Sequence, residues 1–325
     1  MATWISNELA RLESLINSIQ TPTFVYKCTG TNDDAAIETL INNFFSSGTA
    51  MSMKLMVSGT MGLRSAPPSG THLTISAANT RGAVCHLDFS DCTVPETLNQ
   101  FLYIPSASDA RIAVTGLRVK LQTGAGAITL ITATSKCSFT DCVISKAPGG
   151  PPYSIIVAPN AVFYHCDITG TFSALVLIGC SVSDQSITSG KNKYYSCEFS
   201  GVFSIPGHFD KCVFNEGISI NTSAPTPIYH FFDCTMIGST TGISVATSDT
   251  NTEIKLIGCR IKGGVEDIQQ TSASSVKWHI QGCSFSKDGI IVDAASANST
   301  TRITTKLGAN CFMPQYANQF SRTIT

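Results

Sequence analysis

The sequence predicts an all-β chain wound as a single-stranded parallel β-helix, a solenoid of ~24-residue coils. Three observations carry this prediction: a cysteine-centred repeat, a change of parity inside each repeat, and a third apolar alternation that closes the coil. The repeat reads apolar-x-x-Cys-x-apolar, with cysteine at Cys92, Cys142, Cys166, Cys180, Cys197, Cys212, Cys234, Cys259 and Cys283. Leu117 takes the cysteine position between the first two. The ten slots are separated by 25, 25, 24, 14, 17, 15, 22, 25 and 24 residues, so three units in the middle are shortened. A fixed period of this length is the mark of stacked coils rather than of two globular domains.

Parity sets the shape of each coil. The slot and its +2 neighbour lie on one side of a strand, as do positions −5 and −3, for example Leu87/Phe89, Ile112/Val114, Leu175/Leu177 and Ile254/Leu256. Positions −3 and 0 differ by an odd number, so an unbroken strand would send the two pairs to opposite faces. A corner at −2/−1 removes the conflict. Turn-forming residues fill −1 at Asp91, Gly116, Asp141, Gly179, Ser196, Asp233, Gly258 and Gly282, with His165 and Lys211 as exceptions. The third alternation follows in the long units at Leu102/Ile104, Ile128/Leu130, Ile155/Val157 and Ile243/Val245. Trp278 falls in an inward −5 position.

Composition agrees with a large core and excludes several functions. The chain has 325 residues, 43% of them hydrophobic and only 13% charged, with a formal net charge of −1. A nucleic-acid partner calls for a basic excess that is missing here. No apolar run reaches the ~18 residues of a membrane span, so membrane insertion is not expected. Met1-Ala2-Thr3-Trp4 begins neither a basic n-region nor an apolar h-region, which predicts synthesis in a cytosol without a signal peptide. With thirteen cysteines, an odd count, reduced thiols are expected. Stacked on successive coils they form a ladder of small buried hydrophobes. Metal or redox chemistry on that ladder, or at Cys137-x4-Cys142, lacks a histidine recurring beside the slot, and the six histidines are read as dispersed. No metal and no cofactor are expected.

Two segments precede the coils. Residues 1–22 carry Ile5, Leu9, Leu12, Ile16 and Ile19 at spacings of 4, 3, 4 and 3, a heptad seam with isoleucine at d and leucine at a. That choice favours more than two strands, and a parallel homotrimer is expected; the alternative is a lone amphipathic helix, its stripe widened by Leu15, lying against its own β-helix or another protein. Two heptads alone are marginal, so the β-helices must also touch. In residues 23–48, Thr31-Asn32-Asp33-Asp34 offers an N-cap and an acidic first turn. Ile37, Leu40, Ile41, Phe44 and Phe45 then form one helical face, ended by Ser46-Ser47-Gly48. Such a helix is expected to cap the open end of the solenoid, which occupies 49–312 and leaves 313–325 as a tail.

The segment Gly30-Thr31-Asn32-Asp33-Asp34-Ala35-Ala36-Ile37, a glycine, paired aspartates and a following Ala-Ile, resembles the opening of pectate-lyase-like right-handed parallel β-helices. That opening is common in bacteriophage tailspikes, tail fibres and decoration proteins. The resemblance implies a right-handed solenoid and a virion-surface protein that attaches to other virion proteins through its N-terminal segment. It also implies host surface glycans as a further partner. Some proteins of this kind cleave such glycans with a carboxylate pair on the outer face. Outward carboxylates at slot +1 are Asp167 and Glu198, two coils and hence about 9.6 Å apart in an ideal stack. Tyr164 and Tyr195 lie near them as sugar platforms. Some such pair is expected by chance among 22 acidic residues. The expected function is therefore a non-enzymatic virion structural protein, and the alternative a polysaccharide depolymerase using Asp167 and Glu198.

Overall fold

The structure, a computed structural model, describes residues 22–47, 52–78, 82–105, 110–122, 129–146, 154–183, 192–201, 206–220, 228–246, 252–270, 276–286 and 290–292. The heptad seam (Ile5, Leu9, Leu12, Ile16, Ile19) and the 313–325 tail lie outside these residues. The described part is an all-β parallel β-helix with one α-helix. Its strands form three sheets of 15, 9 and 4 members, and successive coils pair in parallel.

The repeat maps directly onto this architecture. Positions −5 to −2 run in the first sheet, and positions from +1 onward run in the second. The corner falls at −1/0, one residue later than the parity alone placed it. In the coil of Cys166, for example, one strand ends at Tyr164 and the next begins at Asp167. The slot side chain therefore points into the core from the corner itself. All nine slot cysteines and Leu117 are buried. The −3 residues stack beside them: the Phe139 and Phe163 rings lie 4.7 Å apart and nearly parallel, as do Tyr194 and Phe209. Trp278 is fully buried, as its −5 position requires.

The −1 position is a left-handed corner with few exceptions. Gly116, Asp141, His165, Gly179, Ser196, Lys211, Asp233, Gly258 and Gly282 all have φ between 50° and 68°. His165 and Lys211 are therefore not exceptions. Asp91 is the odd member: it lies inside the continuous strand Val84–Thr93, where a bulge opposite Met56 and Ser58 turns the chain instead. Where a corner side chain lies across the next rung, that rung carries glycine. A Cβ on Gly179 would sit 2.7 Å from His165 Nδ1, and one on Gly258 would strike the Asp233 carboxylate.

The third side differs from expectation in two coils. Leu102, Ile104, Ile243 and Val245 are buried as predicted. Leu130 is buried too and Ile128 lies outside the described residues, but the strand aligned with Leu102–Ile104 is Ile131–Ala133, with Ile131 and Ala133 buried. In the next coil Ile155 is buried as predicted, but Ile156 and Ala158 are buried as well and Val157 only half-buried, where register shifts on both sides of this stretch break the simple alternation. In the shortened coil after Cys166 the third side and the first sheet are served by one continuous strand, Thr171–Ile178, whose Phe172 and Ala174 pair with Ile156 and Ala158.

The helix Asp33–Ser46 does meet the core at its N-terminal end: Ile37, Ile41 and Phe45 are buried in the same apolar cluster as the coils. Phe44 packs at its margin, but Leu40 is 44% exposed, so the covered stripe is narrower than the predicted face. The side chains of Asn42 and Glu38 fix the helix to the chain just beyond, bonding Thr74, Ser76 and Ala77. Asn32 precedes the helix in a left-handed conformation without a side-chain cap. Asp33 and Asp34 are wholly buried and serve as hydrogen-bond hubs rather than as exposed acids facing a helix dipole.

Candidate functional site

Asp167 and Glu198 share one outward column of the second sheet. Asp167 pairs with Ser181, and Ser181 with Glu198, so two rungs separate the carboxylates, about 9.6 Å at ideal spacing. Both are exposed, and Asn215 Nδ2 donates to Glu198 Oε1 at 2.6 Å. An inverting glycosidase holds its carboxyl groups roughly 6.5–9.5 Å apart, so this pair sits at the wide limit. Tyr164 and Tyr195 likewise share a column, on the first sheet, with Ile178 between them. The left-handed corner separates the two columns, and His165, whose ring lies across Gly179, stands on that corner between them. The sequence brings these residues to neighbouring faces but not to one cleft.

The slot cysteines form the expected ladder. All twelve described cysteines are free thiols. Burial pushes Cys85 and Cys137 up to about 12. Cys234 is also held at about 12, first by its hydrogen bond with the Cys212 thiol and then by burial. At neutral pH such thiols are protonated and poor nucleophiles. Slot thiols also reach carbonyls of the preceding coil: Cys166 Sγ lies 3.5 Å from the Phe139 carbonyl, and Cys234 and Cys259 reach Phe209 and Phe231 at the same distance. A thiol fills the corner as a small hydrophobe while offering that carbonyl a weak donor.

A buried polar cluster joins the helix to the first coils. The Asp33 carboxylate accepts from the backbone N–H groups of Thr29, Gly30 and Gly62 and from the hydroxyls of Tyr26 and Thr29. Burial alone would raise its pKa, but these donors outweigh it and bring Asp33 down to about 2. Asp34 binds Arg64 Nε at 2.9 Å and His72 Nδ1 at 2.7 Å, and His72 Nε2 lies 3.0 Å from Thr97 Oγ1. The Asp-His-Thr order has the connectivity of a catalytic triad. Yet His72 and Thr97 are buried, and the Thr97 hydroxyl is shared with the Asn99 backbone, so the cluster holds chain segments together.

One feature of the outer surface was not anticipated from the sequence. On the first sheet, Lys193, His208, His230, Lys255 and His279 occupy five successive rungs of one outward column. Further along the same column stands His86. Four of the six histidines are thus collected on one face rather than dispersed. The signal was present in the numbering: His208, His230 and His279 each lie four residues before a slot cysteine. Reading the histidines one by one, rather than against the repeat, hides it.

Among the described residues no group of three metal-ligating side chains converges, and no helix is long and apolar enough to cross a membrane. No family model matches the chain, and neither a curated protein nor a solved structure matches it.

Proposed function

We propose that this chain is a non-enzymatic structural protein of a bacteriophage virion, a homotrimeric β-helix on the particle surface acting as tail fibre, attachment spike or capsid decoration. The observation that carries the reading is the role of the Gly30–Ile37 segment. Its paired aspartates are buried and tie the capping helix to the first coils, which supplies a physical role for the segment that resembles the opening of phage β-helices. The heptad seam supports trimerisation and attachment to other virion proteins. The test is electron microscopy of purified particles labelled with antibody against this chain. Regular label at tail or capsid supports the reading, and label confined to the soluble fraction opposes it.

The register of Asp167 and Glu198 favours a second reading, a polysaccharide depolymerase. Incubation with host capsular or lipopolysaccharide glycans separates the two. Shortened products that vanish in Asp167→Asn or Glu198→Gln would establish the enzyme.

A further inference from the structure

We infer that the outward column Lys193–His208–His230–Lys255–His279 is a binding track for a linear carboxylated polysaccharide, engaged when its imidazoles are protonated. This deepens the surface reading above and rests on it only in treating the outer face as a contact surface.

Five rungs cover about 19 Å, with one side chain of the column every ~4.8 Å along the stack. The rungs are in register, so the five groups follow a straight line set by the backbone ladder rather than by flexible loops. Rings of the neighbouring outward column flank His208, His230 and Lys255. Lys255 Nζ sits 5.7 Å from the centre of the Phe232 ring, and the His208 ring lies 4.9 Å from the same ring. Tyr195 flanks His208 at 6.1 Å. Aromatic support of this kind pre-organises cations, which lowers the entropy cost of binding an anion.

The face also carries its own counter-charges. Glu253 Oε1 is 3.8 Å from His230 Nε2 and 4.0 Å from His279 Nε2, and Asp210 lies between Tyr195 and Phe232 in the adjacent column. While the imidazoles are neutral, the two lysines of the column equal these two carboxylates in number, and Lys277 stands on the rung next to Glu253. Protonation of His208, His230 and His279 adds three positive charges. The groups facing His230 act in both directions: burial, Lys255 and His208 hold its pKa below the ordinary imidazole value, and Glu253 opposes them. A bound carboxylate adds to Glu253 and favours the imidazolium, so ligand and protons bind together.

The charge density selects the ligand class. Duplex DNA presents a negative charge every ~1.7 Å of axis, far denser than three added charges over about 19 Å, and Asp210 and Glu253 repel it further. A second copy of the chain would bring like charges together. A polysaccharide with carboxylates on some of its sugars matches both the straight track and the sparse charge.

The experiment is calorimetric titration of the full chain with alginate oligosaccharide, neutral dextran oligosaccharide and a thymidine oligonucleotide, at pH 5.5 and 7.5. Alginate is expected to bind at pH 5.5 at least tenfold more tightly than at pH 7.5, with dextran silent and the oligonucleotide weaker. Lys193→Gln with Lys255→Gln should weaken alginate at least tenfold at pH 5.5. The triple variant His208→Asn, His230→Asn, His279→Asn should flatten the pH dependence, with an unchanged thermal melt showing that the coils remain intact. No alginate binding at pH 5.5, equal binding at both pH values, indifference to the lysine pair, or tighter binding of the oligonucleotide would each overturn the inference. None of these results bears on antibody labelling of particles, so the two readings fail separately.

Discussion

A left-handed backbone at nine of the ten −1 positions, Asp91 being the exception, is a demand on single residues, and the side chains found there meet it unequally. An ordinary L-residue pays roughly 1–2 kcal/mol in this region, whereas glycine enters it freely but loses about 0.5–1 kcal/mol of chain entropy. Lys211, with φ 55° and an exposed side chain, gains least from its place. Lys211→Gly should therefore raise thermal stability by up to ~1 kcal/mol. Gly116→Ala should do the opposite, because its Cβ would come within 2.7 Å of the Ser90 backbone. Paired thermal melts check both, and equal effects from the two would contradict the corner geometry. The slot makes a different demand. Cys234→Ala removes one sulfur from a packed corner and should cost on the order of 1 kcal/mol, while Cys234→Asp buries an unpaired charge and should prevent folding or nearly so. A Cys234→Ala protein of unchanged stability that lost a metal- or redox-dependent property would refute packing as the reason for the ladder.

The capping element shows which features the sequence made legible and which it hid. Helix position, capping role and buried Ile37, Ile41 and Phe45 follow from the apolar period. Burial of Asp33 and Asp34 does not, since an acidic pair at a helix start ordinarily faces solvent and the dipole. Their partners Gly62, Arg64 and His72 lie about thirty or more residues away and are visible only after folding. The depressed pKa of Asp33 has a testable consequence. Its contribution is full above the unfolded carboxylate value near 4 and fades as pH falls through about 2, on the order of 2 kcal/mol over that window. Asp33→Asn should thus melt well below the parent at pH 6, and the gap should narrow towards pH 2. A gap that stayed constant across this range would show that the charge on Asp33 does not stabilise the cap. The third strand of each coil was harder to read: local register shifts break the simple alternation, and period-2 patterns give no warning of a bulge.

For the whole molecule, the repeat length and the thiol ladder were legible because one repeat states them again and again, and parity placed the corner only to within one residue. The outer surface was not, because stacking joins residues from different coils, and a column such as Lys193 to His279 exists only once the register is known. The same holds for Asp167 and Glu198, whose alignment rests on the intervening short coil. Association of copies is the remaining property at this scale, and the surface-spike account depends on it. Its most direct test is light scattering of the full chain at micromolar concentration. The account predicts a mass of three times 34.5 kDa, reduced when Leu12→Asp places a charge in the heptad seam. A monomer of 34.5 kDa for the parent chain would contradict it.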